Sequence, residues 1–466
     1  MTASQQAPTG ALDPAAERAA AAWMGALEHA PHREALADDF RAKFHNPDLL
    51  YRDRAVCNVL RPRFIGADRA QALTRASELV LAAINKVERA VVADRDRLLP
   101  LMGEFGDTER RLLAAPVRLL RSDIQVRLDA TATHAGWGFF ELNGAIPGGL
   151  EIMAELTDIF HGSALYAVAS AEVPMRGYDL KTAVTRSLMG AWKTWAGPAR
   201  SRSAPTVALV DFIDGAPLLG EFFVFQRWMQ ELGCDCLLVE PHELSISGGR
   251  LTAQGRAIDV VYRRLTLVEM LQHPDETGAL VAAAEQDLAL IIDPFVASAL
   301  DRKALFALLT DPALDFGFSA AERAAVDASV PWTRLLRDVA TTLPDGTHGD
   351  LLAWVRRERE RLILKPNHEF GGHGVFLGRR EDAAGWDAAI ETALGQEFVV
   401  QVGIRASAEP FPVLDDPLNP VPFEVSTDPY LFDGALGGVL CRLSAPSGVA
   451  NVTSGGGIVP VFVVDG

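Results

Sequence analysis

Two short segments of the sequence place possible cation ligands at alternate positions of predicted strands. Arg127 and Asp129 lie two residues apart in one alternating stretch. After a six-residue connection predicted at 131–136, Glu141 and Asn143 repeat that spacing. Residues i and i+2 of a strand project from the same face, so a hairpin would present one guanidinium and three oxygen donors together. Such donors suit Mg²⁺, which takes few protein ligands and completes its shell with water and nucleotide phosphates.

A Glu-x-Asn pair by itself is also typical of a solvated hairpin face. Three further features of the sequence favour a metal site. They are the Arg-x-Asp pair on the partner strand, a Gly- and Pro-rich turn at 144–149, and a segment with a lysine and several glycines far downstream. We therefore predict that Asp129, Glu141 and Asn143 are magnesium ligands.

A glycine loop follows a short apolar strand that ends in a lysine. The strand spans 361–366 and contains Lys365; Gly371, Gly372 and Gly374 come next, before a second strand. Glycines let backbone N–H groups approach an anion closely, and successive N–H groups form a concave anion site. We predict a phosphate-binding hairpin, with an ordinary Gly-rich turn as the alternative. It is not a P-loop, because the sequence has no Gly-Lys-Ser or Gly-Lys-Thr and the glycines precede a strand.

Lysine is scarce in this chain, which draws attention to each one. Arginine offers a planar fork, whereas lysine offers a flexible point charge that can follow a phosphate through a reaction. For any single lysine, the alternative is that it is present by chance and does not bind phosphate. The 44 basic residues include six lysines: Lys43, Lys86, Lys181, Lys193, Lys303 and Lys365.

Two strands near the C-terminal end add further candidates. Gln401 and Val402 lie in the strand predicted for 396–403, whose backbone could pair with an adenine edge. Arg442 lies in the strand predicted for 438–444 and is a candidate for contact with a substrate carboxylate or a phosphate, which a guanidinium binds with paired hydrogen bonds.

The order of these motifs resembles that of a known enzyme family. The stretches 364–366, 371–375 and 399–401 are similar to the ATP-binding half of ATP-grasp ligases. The stretch 438–444 followed by 451–457 resembles the closing strands of the circularly permuted members. The resemblance covers roughly residues 120–466.

The upstream position of Glu141-Leu142-Asn143 resembles the permuted group that includes glutathionylspermidine synthase-like proteins. This resemblance implies an α/β (α+β) ATP-grasp fold and an ATP-dependent carboxylate–amine ligase that forms an amide through an acyl-phosphate. It implies ATP and Mg²⁺ as cofactors, Arg127 on the transferring phosphoryl group or the acyl-phosphate, and Lys303 with Lys365 on the nucleotide phosphates. The sequence departs from true glutathionylspermidine synthases in length, in the loop around Gly371 and in lacking an amidase domain, so the substrates stay undefined.

Two alternatives from other classes remain. The first is a non-catalytic nucleotide-binding scaffold that keeps the ATP-grasp fold. The presence of Arg127, Asp129, Glu141, Asn143 and Lys365 together argues against it, because a scaffold would not need all of them. The second is an ATP-dependent phosphotransferase, which would release a phosphorylated product in place of an amide.

The elements that position these residues form four predicted parts. Strand–helix–strand spacing over 205–265 predicts a parallel, Rossmann-like sheet, and the absence of GxGxxG argues against a dinucleotide site. The parts are a helical N-terminal region at 1–120, the metal-ligand hairpin and helices of the permuted ATP-grasp part at 121–200, a Rossmann-like pre-ATP-grasp domain at 201–295, and the ATP-binding domain at 296–466.

Length and composition limit the class of protein. The 466 residues, 49% of them hydrophobic, predict several globular domains. A net charge of -17 argues against nucleic-acid binding. No segment reaches the ~20 apolar residues of a membrane span, and the start lacks a signal-peptide pattern. The four cysteines lack zinc-site spacing, so we expect reduced, buried thiols. We expect a cytoplasmic enzyme that acts on small-molecule or peptide carboxylate and amine substrates, with no nucleic-acid or membrane partner.

Overall fold

Helices and several separate sheets alternate along the chain, as a mixed α/β class predicts. The computed structural model describes residues 13–116, 118–119, 122–134, 136–145, 147–369, 374–444 and 456–465. Gly371 and Gly372 of the predicted phosphate loop lie outside these ranges. Within the described ranges, no helix has both the length and the apolar character that crossing a bilayer requires. All four cysteines are buried and unbridged, as predicted.

Most helices are short, and the longest, α3, spans 27 residues. The helices are α1 Pro14–Glu28, α2 Arg33–Phe44, α3 Ala67–Ala93, α4 Arg95–Leu98, α5 Asp107–Ala114, α6 Leu150–His161, α7 Ala164–Glu172, α8 Leu180–Arg200, α9 Leu219–Glu231, α10 Leu267–Gln272, α11 Pro274–Glu285, α12 Phe295–Leu300, α13 Leu305–Leu309, α14 Ala320–Ser329, α15 Leu351–Arg357 and α16 Ala383–Leu394. Single turns of 3₁₀ helix occur at Pro47–Leu49, Leu99–Leu101, Pro241–Glu243, Arg359–Arg361 and Gly378–Arg380.

The longest strands of the described residues, with ten residues each, are Asp416–Val425 and Ala435–Ser444. The strands are β1 Leu50–Tyr51, β2 Arg54–Ala55, β3 Arg63–Gly66, β4 Val126–Thr133, β5 Gly136–Asn143, β6 Met175–Arg176, β7 Thr206–Val210, β8 Asp235–Val239, β9 Ser245–Ser247, β10 Arg250–Ala253, β11 Arg256–Ala257, β12 Val260–Arg263, β13 Leu290–Ile292, β14 Thr333–Leu335, β15 Ala340–Thr342, β16 His348–Asp350, β17 Leu362–Pro366, β18 Phe376–Leu377, β19 Phe398–Val402, β20 Ser407–Val413, β21 Asp416–Val425, β22 Asp428–Phe432, β23 Ala435–Ser444 and β24 Gly457–Val464.

A four-stranded parallel sheet confirms the strand–helix–strand prediction. Its order is β13-β12-β7-β8, and each neighbouring pair is parallel. The strands are apolar runs such as Thr206–Val210, as expected for a sheet covered on both faces. Arg263 ends β12, and Asp293 follows β13 directly, so polar side chains collect at the carboxyl edge, where open α/β sheets bind their ligands.

The largest sheet joins segments from both ends of the chain. Its path is β20-β21-β23-β22-β4-β5, and β24 pairs with β23, β3 and β6. The early hairpin β4–β5 enters this sheet through β22, where Tyr430 lies opposite Arg127. The C-terminal strands are therefore direct neighbours of the hairpin.

The N-terminal region is not wholly helical, which corrects the expectation for residues 1–120. Strand β3 lies in that region and pairs in parallel with β24, with Phe64 opposite Phe462. Asp13 ties this strand to α1, because its carboxylate caps the helix at Ala16 N and also accepts from Gly66 N. A buried four-residue strand carries no alternation, and its partner lies at the other end of the sequence.

A second antiparallel sheet carries the predicted lysine strand. Its order is β14-β19-β17-β18, and Lys365 on β17 lies opposite Val399 on β19. The strands predicted at 361–366 and 396–403 are confirmed. In this sheet β19 is a central strand with neighbours on both sides.

Candidate active site

The β4–β5 hairpin presents its four polar side chains on one face, as predicted. Arg127 lies opposite Asn143, and Asp129 lies opposite Glu141. A bulge follows Asp129, and the strands reach Thr133 and restart at Gly136, so the connection is shorter than the six residues expected. Directly opposed residues of an antiparallel pair project from the same face, which brings the guanidinium and the three oxygen donors together.

This hairpin and the lysine strand β17 line one cavity of about 660 Å³. Lys365 Nζ lies 3.4 Å from the Phe140 carbonyl oxygen and 5.0 Å from the centre of the Phe140 ring. Segments that are distant in sequence therefore meet. The predicted site residues among the lining are Arg127, Asp129, Glu141, Asn143, Lys303, Lys365, Gln401 and Arg442.

Asp129 is the centre of a buried charge cluster. Arg127 Nε donates to Asp129 Oδ1 at 2.7 Å, and Arg442 Nη2 lies 2.5 Å from Asp129 Oδ2. Asn143 Nδ2 also donates to Asp129 Oδ1, at 3.1 Å. Burial disfavours the ionised carboxylate, but the two guanidinium groups outweigh burial and lower the pKa of Asp129 to about 2.

Both arginines of this cluster have further anchors. Arg127 Nη1 donates to the Gly148 carbonyl oxygen at 2.9 Å, which fixes the turn that follows the hairpin. Arg442 Nε donates to Asp428 Oδ2 at 2.9 Å. Asp428 is itself held by Ser426 Oγ, at 2.6 Å. The guanidinium groups are thus fixed in place before any ligand binds.

Lys303 lies between α12 and α13, and its side chain is 6% exposed. Its Nζ forms an ion pair with Glu141 Oε1 at 3.1 Å and donates to the Glu369 carbonyl oxygen at 2.7 Å. Its backbone N–H donates to the Asn367 carbonyl oxygen at 3.0 Å, so it is tied to the segment that follows the lysine strand. The structure brings Lys303 to the hairpin, and its role at the nucleotide phosphates, which the family resemblance implied, stays a prediction.

Lys365 donates through Nζ to Gln401 Oε1 at 2.8 Å. Burial disfavours its charged form, Glu141 opposes that effect and Lys303 adds to it, so the pKa of Lys365 falls to about 8. Gln401 in turn donates to Thr333 Oγ1 at 3.0 Å. Among the described residues, the hydrogen-bond partners of this buried ammonium group are the neutral Gln401 side chain and the Phe140 carbonyl oxygen, so it is well suited to gain a phosphate partner.

Of the other residues predicted to contact the nucleotide, Gln401 lines the cavity, and Val402 and Gly374 are not among its lining residues. Val402 does not line the cavity, and its backbone N–H donates to the Trp332 carbonyl oxygen at 3.0 Å; the pairing of this strand's backbone with an adenine edge stays a prediction. Gln401 reaches the cavity with its side chain instead. Gly374 has φ +68°, a conformation that favours glycine, and an added Cβ would lie 2.9 Å from Pro366.

The hairpin donors fit a magnesium ion in chemistry. Two carboxylates and one amide oxygen are hard donors, and Mg²⁺ takes one or two carboxylates together with phosphate oxygens. In this structure Glu141 is paired with Lys303, and both oxygens of Asp129 are bound to arginines. The described residues contain no group of three or more His, Cys, Asp or Glu that could hold a metal ion, and a site of Asp129, Glu141 and Asn143 has only two such members.

Sequence reasoning missed two carboxylates of this site. Asp301 lines the cavity and accepts from Gly144 N at 2.5 Å and Ala145 N at 3.1 Å, so it holds the turn after the hairpin. Burial raises its pKa to about 6, against those backbone hydrogen bonds. Asp428 accepts a hydrogen bond from Arg442 Nε and so helps to fix the position of that guanidinium group. The only sequence signal was local: Asp301 lies two residues before Lys303, and Asp428 starts the strand before that of Arg442.

The sequence matches no family model, and no curated protein matches it significantly. Solved structures do resemble the fold. A glutathione synthetase-like effector from Globodera pallida, in its apo form, superposes with a TM-score of 0.62 at 11% identity, over 92% of this chain and 96% of that chain. This likeness shows a shared overall fold and carries no statement about the reaction.

Two further structures show weaker likeness. A putative gamma-glutamylcysteine synthetase from Methylobacillus flagellatus KT gives a TM-score of 0.41 at 11% identity, over 80% of this chain and 84% of that chain. The ATP-grasp ligase PsnB, complexed with a minimal precursor, gives 0.29 at 11% identity, over 56% of this chain and 90% of that chain. These scores are too low to add to the fold comparison.

Proposed function

We propose that this chain is an ATP-dependent carboxylate–amine ligase that forms an amide through an acyl-phosphate. The observation that carries the proposal is the single cavity shared by the carboxylates of the early hairpin and the buried lysines of the later segments, Lys303 and Lys365. The fold likeness to a glutathione synthetase-like effector agrees with it. We also propose the circularly permuted arrangement, the four domain boundaries given above and a cytoplasmic location.

In this proposal ATP lies with its phosphates between Lys303 and Lys365. Asp129, Glu141 and Asn143 would hold Mg²⁺, which supplies charge neutralisation for the phosphates when bound. Glu141 is the residue best placed to change partners, because it now pairs with Lys303, and both would turn to the nucleotide. Gly371, Gly372 and Gly374 would cover the phosphates with backbone N–H groups.

The chain's own residues then position two transfers. The γ-phosphorus forms a bond to an oxygen of the substrate carboxylate as its bond to the β-phosphate oxygen breaks, and ADP leaves. The amine nitrogen next forms a bond to the carbonyl carbon as the carbon–oxygen bond to phosphate breaks. Inorganic phosphate leaves, and the amine gives a proton to solvent. Arg127 and Arg442, fixed on Asp129, would face the charge that develops on the transferred group.

The test is a phosphate-release screen of the purified chain with ATP, Mg²⁺ and panels of amino acids, short peptides and polyamines. Product masses are measured in every positive reaction. The proposal expects equal amounts of ADP, phosphate and a dehydrated, amide-linked product. A phosphorylated product would identify a phosphotransferase, and nucleotide binding without any turnover would identify a scaffold.

A further inference from the structure

Part of the lining of the cavity is apolar. We define the apolar annex by the cavity-lining side chains of Val56, Ile152, Leu218, Leu267, Leu440 and Ile458. Most of these side chains are at most 4% exposed, although they border empty space. An empty space with apolar walls favours the binding of apolar groups, because the lining side chains lack van der Waals contacts on that side and a ligand supplies them.

The annex adjoins the reacting centre. Leu440 and Arg442 lie two residues apart on β23, and Ile458 on β24 lies directly opposite Arg442. The three side chains therefore share one face of the sheet. Since Arg442 is bound to Asp129, a group held against Leu440 and Ile458 lies next to the charge cluster.

Other elements close the annex around this face. Ile458 N donates to the Val56 carbonyl oxygen at 2.9 Å, which fixes the N-terminal region beside β24. Ile152 lies in the first turn of α6, and an added Cβ at Gly149 would lie 4.0 Å from the Leu440 methyl carbons. The pocket is thus built from several elements and does not depend on one loop.

In the proposed function the nucleotide would lie against a different part of the cavity wall. Lys365 and Ile363 lie two residues apart on β17, and Ile363 faces Gln401 and Leu377 in the neighbouring strands. These residues belong to the β14-β19-β17-β18 sheet, whereas the annex belongs to β23, β24, α6 and the N-terminal and Rossmann-like segments. The annex is therefore left for a second ligand.

Charged groups of the same cavity suit an amino-acid backbone. Arg263 at the carboxyl edge of the parallel sheet lines the cavity, and its buried Nε has no hydrogen-bond partner among the described residues. Asp301 lines the cavity from the neighbouring segment. A cation and an anion beside an apolar pocket form the pattern that recognises an amino acid by both its backbone and its side chain.

We infer that one of the two ligated substrates is an amino acid or short peptide with a branched aliphatic or aromatic side chain, held in the apolar annex. The inference rests on the proposed ligase function. It narrows the substrate class, which the family resemblance leaves undefined.

The experiment uses matched substrate pairs with the full-length chain, ATP and Mg²⁺. Leucine is compared with asparagine and valine with threonine, each free and as either residue of a dipeptide with glycine, while phosphate release gives kcat/KM. We expect the apolar member to exceed its polar partner by about tenfold or more, since a few carbons in an apolar pocket discriminate to that extent. The product mass shows whether the apolar residue supplied the carboxylate or the amine.

The variant Ile458→Thr should lower kcat/KM for the apolar substrate by about tenfold or more, chiefly through KM. Ile246→Thr is the matched control, because Ile246 lies on β9 and is 38% exposed. Ile152→Thr repeats the test from α6 should the first variant fail to fold.

Turnover of polar substrates at equal or higher kcat/KM would overturn the inference and leave the ligase function standing. Equal effects of Ile246→Thr and Ile458→Thr would also overturn it. Failure of every substrate pair together with failure to bind nucleotide would contradict the ligase proposal itself, and the substrate class with it.

Discussion

Two carboxylates on one face of the hairpin have different partners, and this difference separates their roles. Both oxygens of Asp129 are bound to arginines, whereas the side chain of Glu141 is 22% exposed and pairs with Lys303 alone among the described ion pairs. Asp129 therefore holds the guanidinium groups in place as well as offering oxygens to a metal. Glu141 is the carboxylate that a bound cation can recruit at the lower cost.

The Glu141→Gln variant should lose turnover by at least about 100-fold, because the charge that neutralises the transferring group is lost. Its melting temperature should stay within a few degrees of wild type, since one partly exposed ion pair is removed. Steady-state phosphate release and thermal melting measure the two effects. Glu360→Gln, at a side chain that is 84% exposed, is the control. Unchanged turnover in Glu141→Gln would remove this residue from the site.

Lys365 should make nucleotide binding depend on pH. Its pKa of about 8 means that the ammonium form predominates below pH 8 and is lost above it. The Kd for ADP should therefore rise as pH increases from 7 to 9.5 in the wild type. In Lys365→Met the Kd should be larger and nearly constant over the same range. Isothermal titration calorimetry across this pH range measures the Kd for ADP. A wild-type affinity in Lys365→Met would refute the assignment of Lys365 to the nucleotide site.

Glu151 carries a pH-dependent cost in stability. Both its oxygens are buried without a partner among the described residues; burial first and Glu221 second raise its pKa to about 8 from the ordinary 4.5. Because the pKa of Glu151 is higher in the folded state than in the unfolded state, its protonated form favours folding. This contribution to the free energy of unfolding is fully present below pH 4.5 and is lost as the pH rises toward 8. Glu151→Gln should exceed wild type in free energy of unfolding by ~1–3 kcal/mol at pH 8, and by less at pH 5.

Chemical denaturation at several pH values measures this difference. The exposed control Glu360→Gln should follow the wild-type pH profile. A gap between Glu151→Gln and wild type that is the same at pH 5 and pH 8 would contradict the account.

At the scale of elements, the turn between β5 and α6 links the hairpin to the rest of the site. The Gly148 carbonyl oxygen accepts from Arg127 at 2.9 Å and from Tyr430 Oη at 2.6 Å. Gly149 has φ +90°, and an added Cβ would lie 3.0 Å from Tyr430 Oη. This position therefore requires glycine for both its backbone conformation and its space.

Gly149→Ala should destabilise the protein by ~1–3 kcal/mol and lower turnover, because the carbonyl that fixes Arg127 must move. Gly190→Ala is the matched substitution, since Gly190 lies in α8 with nothing within 4 Å of an added Cβ. It should stabilise by ~0.5–1 kcal/mol without loss of turnover. Denaturant titrations and phosphate release test both, and equal effects of the two would contradict the account.

Local pattern predicted some elements and could not predict others. The hairpin face of Asp129 and Glu141 followed from strand periodicity, and the parallel sheet followed from its spacing. The pairing of β3 with β24 did not, because a short buried strand has no alternation and its partner is remote in sequence. The central position of β19, which occupies the N–H of Val402, also depends on long-range pairing.

At the scale of the whole molecule, an acidic protein must gather cations locally to bind a polyanion. The chain has a net charge of -17, yet one cavity brings together Lys303 and Lys365 with three guanidinium groups, of which those of Arg127 and Arg263 are buried and that of Arg442 is half-buried. The order of the motifs predicted that the two distant segments meet. Asp301, which holds the turn after the hairpin, and Asp428, which holds Arg442, come from segments without a recognisable motif, so only the folded chain reveals them.

The most direct measurement is a crystal structure of the chain with a non-hydrolysable ATP analogue and Mg²⁺. We predict the γ-phosphate between Lys303 and Lys365, and the metal bound by Asp129, Glu141 and Asn143 at about 2.0–2.1 Å. The Lys303–Glu141 ion pair should then have opened. A nucleotide bound elsewhere, with the Lys303–Glu141 and Lys365–Gln401 contacts unchanged, would contradict the claim that both segments serve one nucleotide.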